Sequence, residues 1–242
     1  MALVTGGATG IGAATVAALA EAKITVALQY SSSENEAKQI SEQLNSKGLK
    51  VEIFRADLSQ KDSVDKLVAN VQAKLGDIDI LINNAGLMSD ASIIEMSDEL
   101  WDQALNINLT AAFKLIRACA PSMVSKKWGR IINISSQVAL VGSANHAHYA
   151  AAKAGLLGLT YSAAKEYGAS GVTVNAVLPG RIQTNMIAQR SKGRLDEWLA
   201  QTPLNRLGKP EEVAGMINFL ASEMSSYVTG ASINVNGGLV MG

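Results

Sequence analysis

The chain is short of the residues that metal and redox proteins depend on. Its 242 residues include one cysteine, Cys119, and two histidines, His146 and His148. A lone cysteine closes no internal disulfide, and its apolar setting, Ala118-Cys119-Ala120, reads as a buried, inert thiol. Two histidines without cysteines at ligand spacing make no zinc site, so no metal is expected. Charge is sparse and balanced, with Lys+Arg and Asp+Glu at 21 each and no prominent basic cluster. That speaks against nucleic acid or an anionic membrane as partner. No run approaches the ~18 uninterrupted apolar residues of a membrane span. Met1 leads into Ala-Leu-Val-Thr-Gly without a charged n-region, so no signal peptide is expected and the expected location is cytoplasmic.

What is present is a packed globular composition, 48% hydrophobic and 17% charged. Apolar, β-rich runs at Ala2–Thr5, Ile24–Leu28, Val51–Arg55, Ile78–Ile82, Gly129–Ser135, Val172–Leu178 and Ser232–Val235 read as seven strands. Helical stretches between them, among them 13–22, Asp62–Leu75, 97–124, 149–169 and 209–221, make repeated βαβ units in one parallel sheet. Neither a repeat nor a linker divides the chain, so residues 1–242 read as a single α/β domain. The polar segment 183–207 breaks the alternation. It carries Arg190, Lys192 and Arg194 as a solvated face, and 185–207 is the candidate substrate lid.

Ligands of such sheets gather beyond the strands' carboxyl ends, and several motifs converge there. Gly6-Gly7-Ala8-Thr9-Gly10-Ile11-Gly12 joins the first strand to a helix, as a phosphate-cradling turn does. The second strand ends in Tyr30-Ser31-Ser32-Ser33, where a ribose-binding carboxylate would otherwise exclude a 2′-phosphate. The first carboxylate is Glu34, so NADP(H) is expected although no arginine is there to pair with the phosphate, with NAD(H) as the alternative. Ser33 also suits an N-cap. Asp57-Leu58 ends the third strand, where Asp57 can meet an adenine amino group or cap the next helix. Asn83-Asn84-Ala85-Gly86 ends the fourth, Asn108 is a polar residue in an apolar helix, and Pro179-Gly180-Arg181-Ile182-Gln183-Thr184 follows the sixth.

The chemistry falls in Ser135–Lys153. Tyr149 and Lys153 lie one turn apart in an alanine-rich helix, so the ammonium reaches toward the phenol. A nearby cation favours phenolate and lowers a tyrosine pKa from about 10. Such a phenol exchanges a proton with a carbonyl or alcohol oxygen, and Ser136 offers a hydroxyl to the same atom. His146 and His148 flank the pair and read as loop packing rather than substrate contacts.

With these residues the chain resembles the short-chain dehydrogenases/reductases over its whole length. The resemblance implies a doubly wound Rossmann sheet of order 3-2-1-4-5-6-7 with helices on both faces. It implies Tyr149 as general acid in reduction and base in oxidation, with Lys153 lowering its pKa and holding the nicotinamide ribose. Ser136 would polarise the substrate carbonyl and Asn108 would position a water relaying protons to Lys153. Cofactor contacts would come from Gly6, Thr9, Gly10, Ile11 and Gly12, from Tyr30, Ser31 and Ser32, and from Asp57 and Leu58. Asn84, Ala85 and Gly86 would line the cofactor, and Pro179, Gly180, Ile182 and Thr184 would close on its carboxamide. Gly-Arg-Ile-Ile-Asn-Ile-Ser at 129–135 and the ending Asn-Val-Asn-Gly-Gly resemble the 3-oxoacyl-[acyl-carrier-protein] reductases. That branch docks its acidic carrier protein with two cations. Here those positions are Lys127 and Ser170, a departure that leaves reduction of free ketones or other carbonyl compounds as a close second expectation. A nucleotide-binding regulator without turnover is the reading from another class, but such proteins typically lack part of the set Asn108, Ser136, Tyr149 and Lys153, and this chain lacks none.

Helices at 100–124 and 149–167, apolar around much of their circumference at Phe113, Leu115, Ile116, Leu156, Leu157 and Leu159, imply a covering subunit, as in the family's homotetramers.

Overall fold

The computed structural model describes residues 1–190 and 193–241. Seven strands, β1 (Ala2–Val4), β2 (Val26–Tyr30), β3 (Val51–Arg55), β4 (Ile80–Asn83), β5 (Gly129–Ile134), β6 (Val172–Pro179) and β7 (Ser232–Val235), form one sheet in the order 3-2-1-4-5-6-7. Every pairing is parallel. Helices are α1 (Gly10–Glu21), α2 (Glu34–Asn45), α3 (Ser63–Leu75), α4 (Asp98–Leu105), α5 (Ala111–Lys126), α6 (Val138–Val141), α7 (Ala147–Tyr167), α8 (Asn185–Arg190), α9 (Leu195–Ala200) and α10 (Pro210–Leu220).

Side chains alternate across a strand, so each strand feeds two cores. Leu3, Ala27, Leu81, Ile131 and Val174 stand in one row and pack with α3, α5 and the end of α7. Val4, Leu28, Ile82 and Ile132 face the other way, onto α1, α2 and α10. The central strands are buried on both faces, which is why they read as unbroken apolar runs. Among the described residues no helix is long and apolar enough to cross a membrane.

Several boundaries shift by a few residues from the sequence reading, and some have a visible local cause. The second strand starts at Val26, because Ile24 N–H turns back to Leu19 O and Lys23 takes a left-handed φ of +65° to end α1. The helix expected over 97–124 is α4 and α5 joined by a π-helical turn, Asn106–Thr110. Ser33 stands at the N-cap position of α2 without a capping hydrogen bond, and the start of α3 falls to Asp62 rather than Asp57.

Candidate active site

The glycine turn is shaped by contacts that leave only hydrogen at its key positions. Gly6 and Gly10 have φ of +60° and +54°, and a Cβ on Gly12 would stand 2.1 Å from Gly6 O. Three side chains hold the turn. Asn84 Nδ2 donates to Thr5 O and Gly6 O at 2.9 and 3.1 Å, and Thr5 Oγ1 accepts from Asn84 N and Ala85 N, each at 3.0 Å. Gln29 accepts from Gly6 N at 2.8 Å and donates to Ala56 O at 2.7 Å. No acidic residue occupies the first turn of α1 and Thr9 makes no side-chain cap, so the helix N-terminus keeps its donors and positive dipole.

Two adjoining cavities follow from this turn. One of about 340 Å³ is lined by Gly6, Thr9, Tyr30, Ser31, Ser32, Ser33, Asp57, Leu58 and Gly86. It carries one carboxylate, Asp57, which accepts from Ser59 N and Oγ at 3.0 and 2.7 Å and from Gln60 at 3.3 Å. The Ser59 hydroxyl foremost, then its N–H, hold that carboxyl below the ordinary range. Although the sequence shows no arginine at the end of β2, Arg55 on β3 is the register partner of Tyr30 and is exposed.

The second cavity, about 300 Å³, shares Gly6, Thr9, Ala85 and Gly86 with the first and adds Gly10, Ile11 and Asn84. Ser136, Tyr149, Lys153, Pro179, Gly180, Ile182 and Thr184 complete its wall, with apolar surface from Met88, Val138 and Ile187. Lys153 is buried, and its Nζ donates to Ile134 O at 2.7 Å while Ser135 Oγ donates to Lys153 O at 2.7 Å. These two bonds lock α7 onto the end of β5. Lys153 Nζ lies 5.6 Å from the centre of the Tyr149 ring, and burial pulls the ammonium down from 10.5 to about 8.

Asn108 and Gly12 support the cavities without lining them. Asn108 Nδ2 donates to Leu87 O and Ala104 O, each at 2.9 Å, and its Oδ1 accepts from Leu87 N at 3.2 Å. The π turn, Asn106–Thr110, widens the helix here, a distortion frequent at functional sites. A Cβ on Gly86 would meet Asn108 Oδ1 at 2.7 Å, so the two residues are fitted together. Neither histidine is in the wall. His148 is buried against Ser89 and His146 bonds Asp90, both being loop packing.

Segment 185–207 hangs from a closed base, since Gln183 N donates to Gly208 O at 2.8 Å and Gly208 N to Arg181 O at 3.0 Å. The Arg181 guanidinium lies over Trp198 and donates to Trp198 O at 2.8 Å. Of the expected cation cluster, Lys192 and the Arg190 side chain lie outside the described residues, while Arg194 meets Glu197 at 3.5 Å. The sequence reading gave no individual role to Gln29, Thr5 or Ser135. Gln29 is a long amide inside a buried strand, and that was its available signal.

The family model described as Enoyl-(Acyl carrier protein) reductase matches residues 6–240. The chain is 38% identical over 240 residues to the 3-oxoacyl-[acyl-carrier-protein] reductase FabG of Staphylococcus epidermidis, covering 99% of this chain and 98% of that one. It is 41% identical over 243 residues to the FabG reductase of Salmonella typhimurium, covering 100% and 97%. It is also similar to the crystal structure of a blue fluorescent protein from a metagenomic library in complex with NADPH. That match has a TM-score of 0.94, 39% identity, and covers 99% of this chain and 97% of that one.

Proposed function

The chain belongs to the short-chain dehydrogenase/reductase family, NAD(P)-dependent oxidoreductases of CH–OH and C=O groups, and on that premise we propose an NADPH-dependent reductase of a carbonyl compound. The substrate is a 3-oxoacyl thioester or related ketone and the product its alcohol. The observation that carries this reading is one cavity holding the glycine turn at one end and Ser136, Tyr149 and Lys153 at the other.

The residues fit a dinucleotide: a cradle with no room for a Cβ at Gly12, an unneutralised helix N-terminus, and a serine-lined rim at the end of β2. When bound, the cofactor supplies the hydride that reduces the carbonyl carbon. Gly6, Thr9, Gly10 and Ile11 take its phosphates, with Gly12 packing beneath. Tyr30, Ser31 and Ser32 meet the 2′-phosphate, with Arg55 as the nearby cation. Asp57 and Leu58 flank adenine, Asn84, Ala85 and Gly86 line the middle, and Pro179, Gly180, Ile182 and Thr184 enclose the carboxamide end. Ser136 donates to the substrate oxygen, and Tyr149 delivers the proton to that oxygen. Lys153 makes the phenol acidic and holds the nicotinamide ribose, while Asn108 fixes the loop around Leu87 and orders the water that refills the proton. The wall residues Met88, Val138 and Ile187 suit an apolar substrate body.

We place the lid at 185–207 within a single domain of 1–242, and the enzyme in the cytoplasm, whose reducing conditions suit a chain with a free buried cysteine. Docking of an acyl carrier protein has one cation of the expected pair. Gly171, which follows Ser170, packs against Lys127 O, so the two positions are spatial neighbours, and only Lys127 is charged.

Oxidation of NADPH and NADH with acetoacetyl-CoA, a crotonyl thioester and a ketone panel tests the reading. Turnover of the keto compounds with NADPH, faster than with NADH, is expected. Silence with every substrate overturns the catalytic reading, reduction of the crotonyl double bond alone overturns the substrate, and preference for NADH overturns the cofactor. Oxidation of alcohols or sugars with no measurable reduction would favour the alternative, an NAD(P)-dependent dehydrogenase.

A further inference from the structure

The chain's two histidines sit side by side between the head of α7 and the loop after β4. Buried His148 places Nε2 3.0 Å from Ser89 Oγ. His146 places Nε2 2.7 Å from Asp90 Oδ1 and Nδ1 2.9 Å from Ser143 Oγ. Between them Ala91 N–H donates to Asn145 O at 2.9 Å, Asn145 having a left-handed φ of +65°. These contacts tie residues 89–91 to the segment that leads into Tyr149. Just upstream, Met88 lines the cavity with Ser136 and Tyr149, and Leu87 is held from behind by Asn108. The loop is therefore gripped on two sides, by a backbone-bonded asparagine and by the histidines.

We propose that His148 is a positioning residue: together with His146 it clasps the loop after β4 onto the head of α7 and so sets Met88 in the substrate wall beside Tyr149.

Chemistry makes this clasp sensitive to protons. A neutral imidazole has one donor and one acceptor, and Ser89 Oγ satisfies Nε2 in either tautomer. A second proton needs a second acceptor, and His148 Nδ1 is buried without a hydrogen-bond partner. Burial foremost, then neighbouring His146, hold His148 below the ordinary histidine range, with Asp90 acting the other way. Asp90 and His146 are the titratable groups facing it. Because the clasped imidazole takes a proton less readily than a solvated one, the clasp is at full strength above about pH 6.5 and weakens as pH falls below it.

The closing experiment has an arm independent of the proposed reaction, on which only the kinetic arm rests. Hydrogen exchange of the loop peptide spanning 87–95 is followed in the free full chain at pH 5.5 and 7.5, corrected for intrinsic exchange. Wild type should exchange several-fold faster at pH 5.5. His148→Asn, which keeps a neutral hydrogen-bonding side chain and cannot titrate, should exchange equally at both. With acetoacetyl-CoA as probe, His148→Leu should raise KM about 3- to 10-fold with kcat within about twofold, the mark of lost substrate binding, and His148→Asn should restore KM. Loop exchange in wild type that ignores pH overturns the proposal, as does pH-dependent exchange persisting in His148→Asn, or a kcat that falls while KM holds. If wild type does not turn over acetoacetyl-CoA, the substrate reading has failed and the exchange result still decides the clasp.

Discussion

Lys153 concentrates the tension between stability and function in a single side chain. Its ammonium is buried, donates to Ile134 O, and is drawn down to about 8 from 10.5. A base with a lower pKa in the fold than in the unfolded chain opposes folding while both forms are charged, below about pH 8. That penalty fades as pH rises from about 8 to 10.5, where the unfolded chain still holds the proton. Lys153→Met should therefore lose activity yet unfold less readily at pH 7, by up to about 3 kcal/mol. The advantage over wild type should shrink toward pH 10.5, read by denaturant melts of the cofactor-free proteins. A variant less stable than wild type at pH 7 would show that the bond to Ile134 O outweighs burial. Tyr149→Phe separates chemistry from binding. With its proposed proton gone, kcat should fall about 10²- to 10⁴-fold while NADPH affinity by fluorescence titration stays nearly constant.

At the scale of elements, the site depends on how strand ends and helices are stapled. Gln29 bridges the glycine turn to the end of β3, Asn84 bridges it to β4, and Asn108 joins the π turn to the loop after β4. Gly12→Ala puts a methyl carbon into Gly6 O and should abolish tight NADPH binding, measured by calorimetry. Asn108→Ala leaves both backbone groups of Leu87 without their side-chain partner. Unfolding free energy should drop by about 1–3 kcal/mol, and kcat should fall with it. Neighbouring strands also bring together what the chain keeps 25 residues apart, Tyr30 and Arg55. Arg55→Ala should weaken NADPH binding several-fold and leave NADH unchanged, in titrations at two salt concentrations. Equal losses for the two cofactors would remove Arg55 from the 2′-phosphate site.

For the whole molecule, the sequence expected the apolar helices to be covered by another subunit. Within one subunit Leu115, Ile116, Leu156 and Leu157 are already buried, so they carry no information about assembly. Among the large apolar side chains that stay exposed are Phe113, Trp101 and Tyr161 on α5, α4 and α7, with Met224 and Tyr227 elsewhere on the surface. We propose that the first group seats a second copy in a homotetramer. Light scattering at micromolar concentration should give a multiple of the 25.3 kDa chain, and Phe113→Glu should reduce it. A monomer in wild type would overturn the assembly.

The sequence alone determined the sheet and where its ligands go. Short apolar runs and glycine turns are local signals, and a parallel sheet sends every one of its strand ends to a single edge, so Gly6, Asn84, Ser136 and Pro179 had to converge. It also placed Tyr149 and Lys153 on one helix face, because that spacing is a property of the helix itself. Tertiary structure alone decided which polar groups are consumed by the scaffold. Asp57 is engaged by its own turn, Ser33 makes no cap, Asn108 holds Leu87, and both histidines grip a loop. Such partners lie tens of residues away, and only closure of the fold fixes whether a hydrogen-bonding group faces a neighbour or the cavity.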